Sequence, residues 1–502
     1  MEILDNLVLG LATSLQPTVL LYCLLGVFLG TFIGVLPGIG PLAAISMLLP
    51  ITYHIDPTSA IVMLAGVYYG SEYGGSTASI LLNMPGSTAN AVTCLDGYPM
   101  TQQGRAGVAL FTTAAGSLVG GLVSLIALIL CAPIIVSVAL SFGAAEYCAL
   151  MVFGLVASSA VTVGSPLKGL SMVVFGLLLS TVGIDTNTGI ARFDFGHIFL
   201  YDGISLVVIA VGVFGVTEVM KHISSSEHAT PNDKITLRSM IPTKDDVRRS
   251  GMPMARGSAI GVVLGALPGV GPTLASYLSY AVEKRVSKDP SRFGKGAIEG
   301  IASPEASNNA AAQSAFIPTL TLGVPGSATM AVMMGALIIH GIQPGPMMMT
   351  QEPAIFWGLV MSFLIGNILL VILNIPMIGI WVSMLRIPPA VLFPAILVFI
   401  LFGVYSVHNN EMDVLLVALV GLMGYGMYLL RFEPAPLLLG LVLGPLLEQN
   451  FRRAMLLSRG DLATFIERPI SLGILLVTSV ILIWTLTSFI KSRRSRPVEA
   501  LS

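Results

Sequence analysis

The stretch GVLPGIGP at residues 34–41 occurs again, with two small changes, as GALPGVGP at residues 265–272. A second pair of segments follows in the same order, NMPGST at residues 83–88 and GVPGSA at residues 323–328. Each segment lies in an otherwise apolar stretch of membrane length, where proline and glycine interrupt a helix. Interrupted hydrophobic segments at corresponding positions of two halves are typical of secondary transporters and indicate their binding site.

The composition indicates a chain that is solvated mainly by lipid. Apolar residues make up 55% of the 502 residues, charged residues only 10%, and the mean hydropathy is +0.88. A soluble domain carries roughly 25% charged residues. The net charge of −1 gives no indication of a nucleic-acid partner, and the sequence carries no zincin, P-loop, GxSxG or paired-cysteine motif. An enzyme is therefore not predicted.

The predicted fold class is an all-α integral membrane protein with about 10–12 hydrophobic segments, each of the length needed to cross a bilayer. Its predicted parts are a first transmembrane repeat half (residues 1–220), a polar cytoplasmic linker (221–256), a second repeat half (257–468) and a C-terminal transmembrane helix with a basic tail (469–502).

The placement of Lys and Arg predicts that the two halves are inverted repeats. No Lys or Arg precedes Arg105, whereas the second Pro-Gly segment has basic residues on both sides, among them Arg256 and Lys284. Because cytoplasmic loops collect Lys and Arg, both ends of the second segment are predicted to be cytoplasmic and those of the first external. Each Pro-Gly segment is then a re-entrant hairpin, with a kinked membrane-spanning helix as the alternative.

The interrupted helices predict a binding site for an anion and a cation. A broken helix exposes N–H groups suited to a carboxylate at one end and carbonyl groups suited to Na⁺ at the other. Hydroxyl side chains that follow the second breaks can cap the new helix and donate to the anion. The predicted substrate-binding residues are Pro37, Gly38, Gly40, Pro85, Gly86, Ser87, Thr88, Pro268, Gly269, Gly271, Pro325, Gly326 and Ser327.

Two acidic residues between the breaks are the candidate cation ligands. A carboxylate at membrane depth costs roughly 2.5–3.5 kcal/mol on insertion scales, so Glu72 and Glu305 need a partner or a function. They stand 233 residues apart, between the spacings of 231 and 240 of the two motif pairs, which suggests structural equivalents. Amide oxygens of Asn308 and Asn309 are further candidate ligands. A hydrated position for the Glu pair at the interface is the alternative, and Asp96 is interpreted as the end of a loop.

Several of these motifs together resemble those of a known transporter family. The segments LPGIGP at 36–41, LNMPGS at 82–87, SNNA at 307–310 and GVPGS at 323–327 are similar to those of the large permease subunit of tripartite tricarboxylate transporters. The resemblance extends over nearly the whole chain, including the two motif-bearing halves, the linker and the hydrophobic tail.

The resemblance implies a multi-pass protein of the bacterial inner membrane that imports citrate or related di- and tricarboxylates. It implies two partners, a small four-span membrane subunit and a periplasmic solute-binding protein, and coupling to an ion gradient, usually Na⁺, with H⁺ as the alternative and no cofactor. A homodimer is also compatible with the sequence. A stand-alone ion-coupled carboxylate symporter that needs no binding protein is the competing interpretation, and a channel would share the broken helices.

Overall fold

The structure is a computed structural model that describes residues 2–160, 162, 165–185, 187–223, 235–385 and 387–494. It is almost entirely helical, with one short antiparallel pair of strands, β1 (Gly183–Ile184) and β2 (Ala191–Arg192). Part of the predicted linker (224–234) and the end of the predicted basic tail (495–502) lie outside the described residues.

Up to the linker, the described residues form ten α-helices: α1 (Glu2–Ser14), α2 (Pro17–Val35), α3 (Pro41–Thr52), α4 (Pro57–Leu82), α5 (Ala91–Gln102), α6 (Ala106–Ala139), α7 (Ala144–Ala160), α8 (Pro166–Leu179), α9 (Leu206–Ala210) and α10 (Thr217–Ile223). A 3₁₀ turn, Ile198–Leu200, precedes α9, and a π-helical segment, Val211–Val216, joins α9 to α10.

The described residues that follow form thirteen more: α11 (Lys244–Gly265), α12 (Gly271–Val286), α13 (Glu299–Ser314), α14 (Phe316–Leu322), α15 (Ala328–Ile339), α16 (Met348–Gln351), α17 (Pro353–Asn374), α18 (Ile378–Met384), α19 (Pro389–His408), α20 (Glu411–Leu429), α21 (Ala435–Leu457), α22 (Thr464–Glu467) and α23 (Pro469–Arg494). Two 3₁₀ turns, Leu237–Met240 and Pro290–Arg292, flank α11 and α12.

The predicted all-α membrane fold is confirmed. Among the described residues, five helices are long and apolar enough to cross a membrane, and six shorter apolar helices accompany them. The five long ones lie at Pro17–Val35, Ala106–Ala139, Pro353–Asn374, Val391–His408 and Glu411–Leu429.

In the first half, the first Pro-Gly segment forms the tip of a helical hairpin. Gly26 of α2 lies against the backbone of Met63, and Gly34, two turns later, lies against Ser71, so α2 and α4 run parallel. Between them, α3 has to return from the tip to the beginning of α4, because α4 starts at Pro57, more than one turn before Met63. Helices α2 and α3 therefore enter and leave at the same end of α4. We call this pair hairpin one.

The second half repeats this arrangement. Gly257 of α11 lies against Ser303 and Gly265 against Ala311, so α11 and α13 run parallel and α12 returns between them. We call α11 and α12 hairpin two. Small residues allow such close backbone contact, and a Cβ atom at any of six glycines would collide with a backbone oxygen of the facing helix: Gly26, Gly30, Gly34, Gly257, Gly261 and Gly265.

The two halves are related by inversion. Ser76 of α4 donates a hydrogen bond to Glu305 of α13, and Glu72, one turn earlier in α4, accepts one from Asn308, one turn later in α13. The corresponding helices α4 and α13 thus cross in antiparallel directions. Because each hairpin runs parallel to its own helix, hairpin one and hairpin two approach the crossing from opposite ends.

A reciprocal exchange of helices joins the halves. Helix α17 of the second half packs on α4, where Tyr73 donates to Asn367 at 3.2 Å. Helix α6 of the first half packs on α13, where Asn309 donates to Ser117 at 2.7 Å and Gly120 lies against Ala306. Each half therefore completes the core of the other.

Candidate functional site

The tip of hairpin one is a tight turn that is held by the second break of the same half. Gly38 adopts φ of 84°, a left-handed conformation that favours glycine. The N–H of Gly38 donates to the carbonyl oxygen of Pro85 at 3.1 Å. Gly40 lies against Ser87. The predicted residues of the first and second Pro-Gly segments are thus brought together in this half.

The tip of hairpin two has the same construction. Gly269 adopts φ of 83°, and its N–H donates to the carbonyl oxygen of Gly326 at 2.9 Å. Gly271 lies against Ser327, whose hydroxyl caps α15 by accepting from the N–H of Met330 at 3.2 Å. Each half therefore presents one hairpin tip bonded to one broken helix.

One contact joins the second break of the first half to hairpin two. The hydroxyl groups of Thr88 and Thr273 are 2.8 Å apart, and Thr273 lies in the first turn of α12. Thr88 is exposed and Ser87 is half-buried, whereas Pro325, Gly326 and Ser327 are all buried. The break of the first half is thus the more accessible of the two.

Beside this accessible break, the carboxylate of Glu305 is held by side chains of the opposite half. Oε2 of Glu305 accepts from Ser76 at 2.7 Å. Oε1 accepts from Thr93 and, at 3.5 Å, from the amide of Asn90. Glu305 is 1% exposed, so the second half contributes a buried acid to a polar pocket of the first half.

Glu72 lies next to it with the same kind of partners. Its Oε2 accepts from Ser87 at 3.2 Å and from the amide nitrogen of Asn308 at 3.1 Å. Within the described part of the chain, the other amide atom, Oδ1 of Asn308, has no hydrogen-bond partner although the residue is buried. We call this group the carboxylate cluster: Glu72, Ser76, Ser87, Asn90, Thr93, Glu305 and Asn308.

Asn309 lies apart from these carboxylates. Its amide nitrogen donates to Ser117 and to the backbone oxygen of Glu305 at 3.2 Å. Its side chain thus meets α6, away from the carboxylate groups of the cluster. Of the four predicted cation ligands, the structure brings together Glu72, Glu305 and Asn308.

Three members of the cluster, Ser76, Asn90 and Thr93, were not among the predicted site residues. A signal was available, because Ser87, Asn90 and Thr93 recur every three residues from the break into the first turn of α5, a spacing that places polar groups on one side of the chain. What the sequence does not supply is that Glu305, more than 200 residues away, points at this face.

The suggestion that Glu72 and Glu305 are structural equivalents is wrong. The glycine contacts match Met63 with Ser303 and Ser71 with Ala311, a spacing of 240 residues. With this spacing, Glu72 of the first half corresponds to Ala312 of the second half, not to Glu305. The interpretation of Asp96 as the end of a loop is also wrong, because it is fully buried within α5.

The cluster has the chemistry of a site for a small cation. The partners that the described residues offer to the two carboxylates are hydroxyl and amide groups, with no Lys or Arg among them. Two negative charges in a buried site repel each other and are costly without a counter-charge. Carboxylate, hydroxyl and amide oxygens are the ligands that hard cations prefer.

Comparison with known proteins places these features in one family. The family model described as the tripartite tricarboxylate transporter TctA family matches residues 20–439. An uncharacterised 52.8 kDa protein in the TAR-I ttuC' 3'region of Agrobacterium vitis is 50% identical over 496 residues, which cover 99% of both chains. An uncharacterised protein in the TAR-II ttuC' 3'region of the same organism is 53% identical over 236 residues, 47% of this chain and 98% of its own length. No solved structure matches.

Proposed function

Because the chain belongs to the tripartite tricarboxylate transporter TctA family, we propose that it is the membrane permease that imports citrate or a related di- or tricarboxylate, with uptake coupled to a gradient of Na⁺ and with H⁺ as the alternative coupling ion. The observation that carries this proposal is the carboxylate cluster, in which two buried acids from opposite halves meet beside a broken helix.

The substrate is proposed to bind at the hairpin tips and second breaks. The first turns of α3 and α12 begin at these tips, and the hydroxyls of Thr88 and Thr273 lie between the halves. N–H groups at helix starts carry partial positive charge and bind carboxylates without a basic side chain. The exposure of Thr88 supports entry on this side of the cluster.

The cation is proposed to bind between Glu72 and Glu305, with the free amide oxygen of Asn308 as a further ligand. A bound cation offsets the repulsion of the two carboxylates. Because Ser87 bonds Glu72 and also packs on the tip residue Gly40, cation binding would order the substrate site. This link gives the coupling, since substrate and cation then stabilise the same conformation.

The basic residues support a proposed orientation in the bacterial inner membrane. Hairpin two begins beside Arg105, Arg249 and Arg256, so its open end is cytoplasmic by the excess of basic residues there. Hairpin one then opens to the periplasm. A periplasmic solute-binding protein would deliver the carboxylate on that face, and a small membrane subunit would accompany the chain.

The test is uptake of labelled citrate into vesicles that carry this chain and its small membrane subunit. Uptake is measured with and without a Na⁺ gradient, with and without the cognate binding protein, and with a proton gradient in place of Na⁺. We expect uptake only when the Na⁺ gradient and the binding protein are both present. Glu352→Gln is the matched control for changes in the cluster, because it changes an exposed carboxylate at the N-cap of α17.

Three results would change the proposal. Uptake that needs Na⁺ but no binding protein would establish the competing stand-alone symporter. Flux that does not saturate and needs no cation gradient would establish a channel. Saturable uptake of another carboxylate, with citrate inactive, would retain the carrier and replace the substrate.

A further inference from the structure

Asp96 forms a heavily bonded contact between the two halves, outside the carboxylate cluster. It is located in α5 of the first half and is fully buried. Its Oδ1 accepts from the N–H groups of Gly294, Gly296 and Ala297 at 2.9, 2.9 and 2.8 Å. Its Oδ2 accepts from the hydroxyl of Tyr280 at 3.0 Å.

The connection between α12 and α13 is shaped to receive this carboxylate. Gly294 and Gly296 adopt φ of 82° and 94°, so successive N–H groups converge on one oxygen and form a small anion-binding concavity. A Cβ atom on Gly300 would collide with Asp96. Gln103, at the end of α5, adds a bond to the carbonyl oxygen of Lys295 at 2.9 Å.

Helix α5 therefore touches two parts of the transport machinery at once. Thr93 and the N-cap residue Asn90, about one and two turns before Asp96, hold Glu305 of the carboxylate cluster. Tyr280 lies on α12, the returning helix of hairpin two. Movement of α12 away from α5 has to break the bond between Tyr280 and Asp96. The residues that bond Glu305 lie in the first turn of α5 and at its N-cap, on the same rigid helix as Asp96.

The opposite end of the molecule has no counterpart of this contact in the described residues. The register of 240 residues places Ala336 at the position of Asp96, and the connection between α3 and α4 has only four residues, compared with twelve between α12 and α13. The two hairpins correspond with a spacing of 231 residues, which places Leu49 of hairpin one at the position of Tyr280 in hairpin two. Hairpin two also has an ion pair between its legs, Arg256 with Glu283 at 2.6 Å, where hairpin one has Leu25 and Thr52.

We propose that Asp96 is a latch that holds the returning helix of hairpin two closed at the basic end and that opens once in each transport cycle. The inference rests on the proposed carrier function, since only a carrier needs this end to open and close. With a latch at one end only, the resting chain is closed toward the cytoplasm and available from the periplasm. Binding of substrate and cation has to release α5 before the cytoplasmic end can open.

The test measures accessibility of hairpin two without any transport. Ser279 of α12 is fully buried and becomes a reporter as Ser279→Cys, in the full chain with its four native cysteines replaced by serine and the small subunit present. Labelling by a membrane-impermeant maleimide from the basic side is timed in the absence of citrate and Na⁺. We expect Asp96→Asn to raise the labelling rate about tenfold or more, because it loses charged hydrogen bonds to four donors.

Two further variants separate a latch from general loosening. Tyr280→Phe removes one hydroxyl with little change of shape and should raise labelling by a smaller factor, about fivefold. Asp246→Asn is the matched control, since Asp246 is a buried acid at the same end that pairs with Arg105 at 2.6 Å and lies on α11, the other leg of hairpin two, not on α12. It should lower the melting temperature without faster labelling.

Unchanged labelling in Asp96→Asn and Tyr280→Phe would overturn the latch, as would equal acceleration in Asp246→Asn. The outcome is independent of the proposed substrate and cation. If citrate uptake fails but the labelling rates behave as expected, the latch stands and the substrate proposal falls. If uptake is Na⁺-dependent and the labelling rates do not change, the carrier proposal stands and the latch falls.

Discussion

The second breaks of the two halves have the same backbone arrangement, but the side chains around the first are polar and those around the second are apolar. In both, a glycine with left-handed backbone conformation at the hairpin tip donates its N–H to a carbonyl oxygen of the Pro-Gly segment. The serine that follows this Pro-Gly pair packs on the hairpin tip. Around the break of the first half stand Glu72, Ser76, Asn90 and Thr93. The register of 240 residues replaces them in the second half by Ala312, Phe316, Met330 and Met333.

This difference indicates that the two halves divide the work. The shared backbone makes two hairpins that open toward opposite ends, which alternating access requires. The polar chemistry is concentrated at one of them, and the second half contributes Glu305 and Asn308 across the antiparallel crossing. At the related position on the other side of the crossing, Tyr68 and Phe316 pack at 6.2 Å. In the part of the chain that the structure describes there is therefore one carboxylate cluster, although there are two hairpins.

The largest effect is expected where the halves differ most. Glu305→Gln or Glu72→Gln should lower cation-driven uptake roughly 10- to 100-fold, the range for losing interactions with a charged group. Na⁺-dependent thermal stabilisation of the purified protein should fall with it. Full Na⁺ dependence in both variants would remove the cluster as the cation site, whereas Glu352→Gln should behave as the wild type.

The next effect is expected where the halves are the same. Gly38→Ala and Gly269→Ala each force a side chain into a left-handed conformation, which costs roughly 1–2 kcal/mol. Uptake should fall by about tenfold in both variants while the amount of protein in the membrane is unchanged. A Cβ atom at residue 269 would lie 2.9 Å from the backbone nitrogen of Ser158, so Gly269→Ala should be the more severe of the two variants. Normal uptake in both would show that the tips are not part of the site.

An exchange of side chains between the halves gives a sharper comparison. Asn90→Met gives the first half the residue of the second and should weaken apparent Na⁺ affinity about fivefold, by loss of the amide that holds Glu305. The reverse change, Met330→Asn, should leave Na⁺ affinity unchanged and lower stability by about 1–3 kcal/mol, because it buries an amide without a partner. Na⁺ titration of uptake and thermal unfolding separate the two. Equal affinities in the two variants would contradict the division of labour.

The smallest effect is expected at the exposed contact between Thr88 and Thr273. Thr88→Ala should raise the substrate concentration for half-maximal uptake by about fivefold or less, because an exposed neutral hydrogen bond contributes about 1 kcal/mol or less. Thr273→Ala should match it, and the double variant should be no worse than either single one. Additive effects would show that the two hydroxyls act separately.

The sequence predicted the helical membrane fold and the duplicated breaks because both depend on local signals, hydropathy and Pro-Gly chemistry. Glu72, Glu305 and Asn308 were identified by the cost of polar groups in lipid. The partners that bond each carboxylate, Asn308 for Glu72 and Ser76 for Glu305, could not be predicted, because the register within each half is set by packing of glycine faces, not by motif spacing. The error of seven residues in pairing Glu72 with Glu305 has this origin. Asp96 was misread because three of its four partners are backbone N–H groups, which leave no trace in the sequence.

The exchange of α6 and α17 between the halves has a consequence for how the chain is made. During synthesis α6 enters the membrane well before its partner α13 has been made. The contacts of Gly116 with Ala302 and of Gly120 with Ala306 therefore cannot form until the second half is present. Contacts between segments so distant in sequence form slowly. The first half therefore persists for a time as an incomplete intermediate in the bilayer, open to quality-control proteases until the second half arrives.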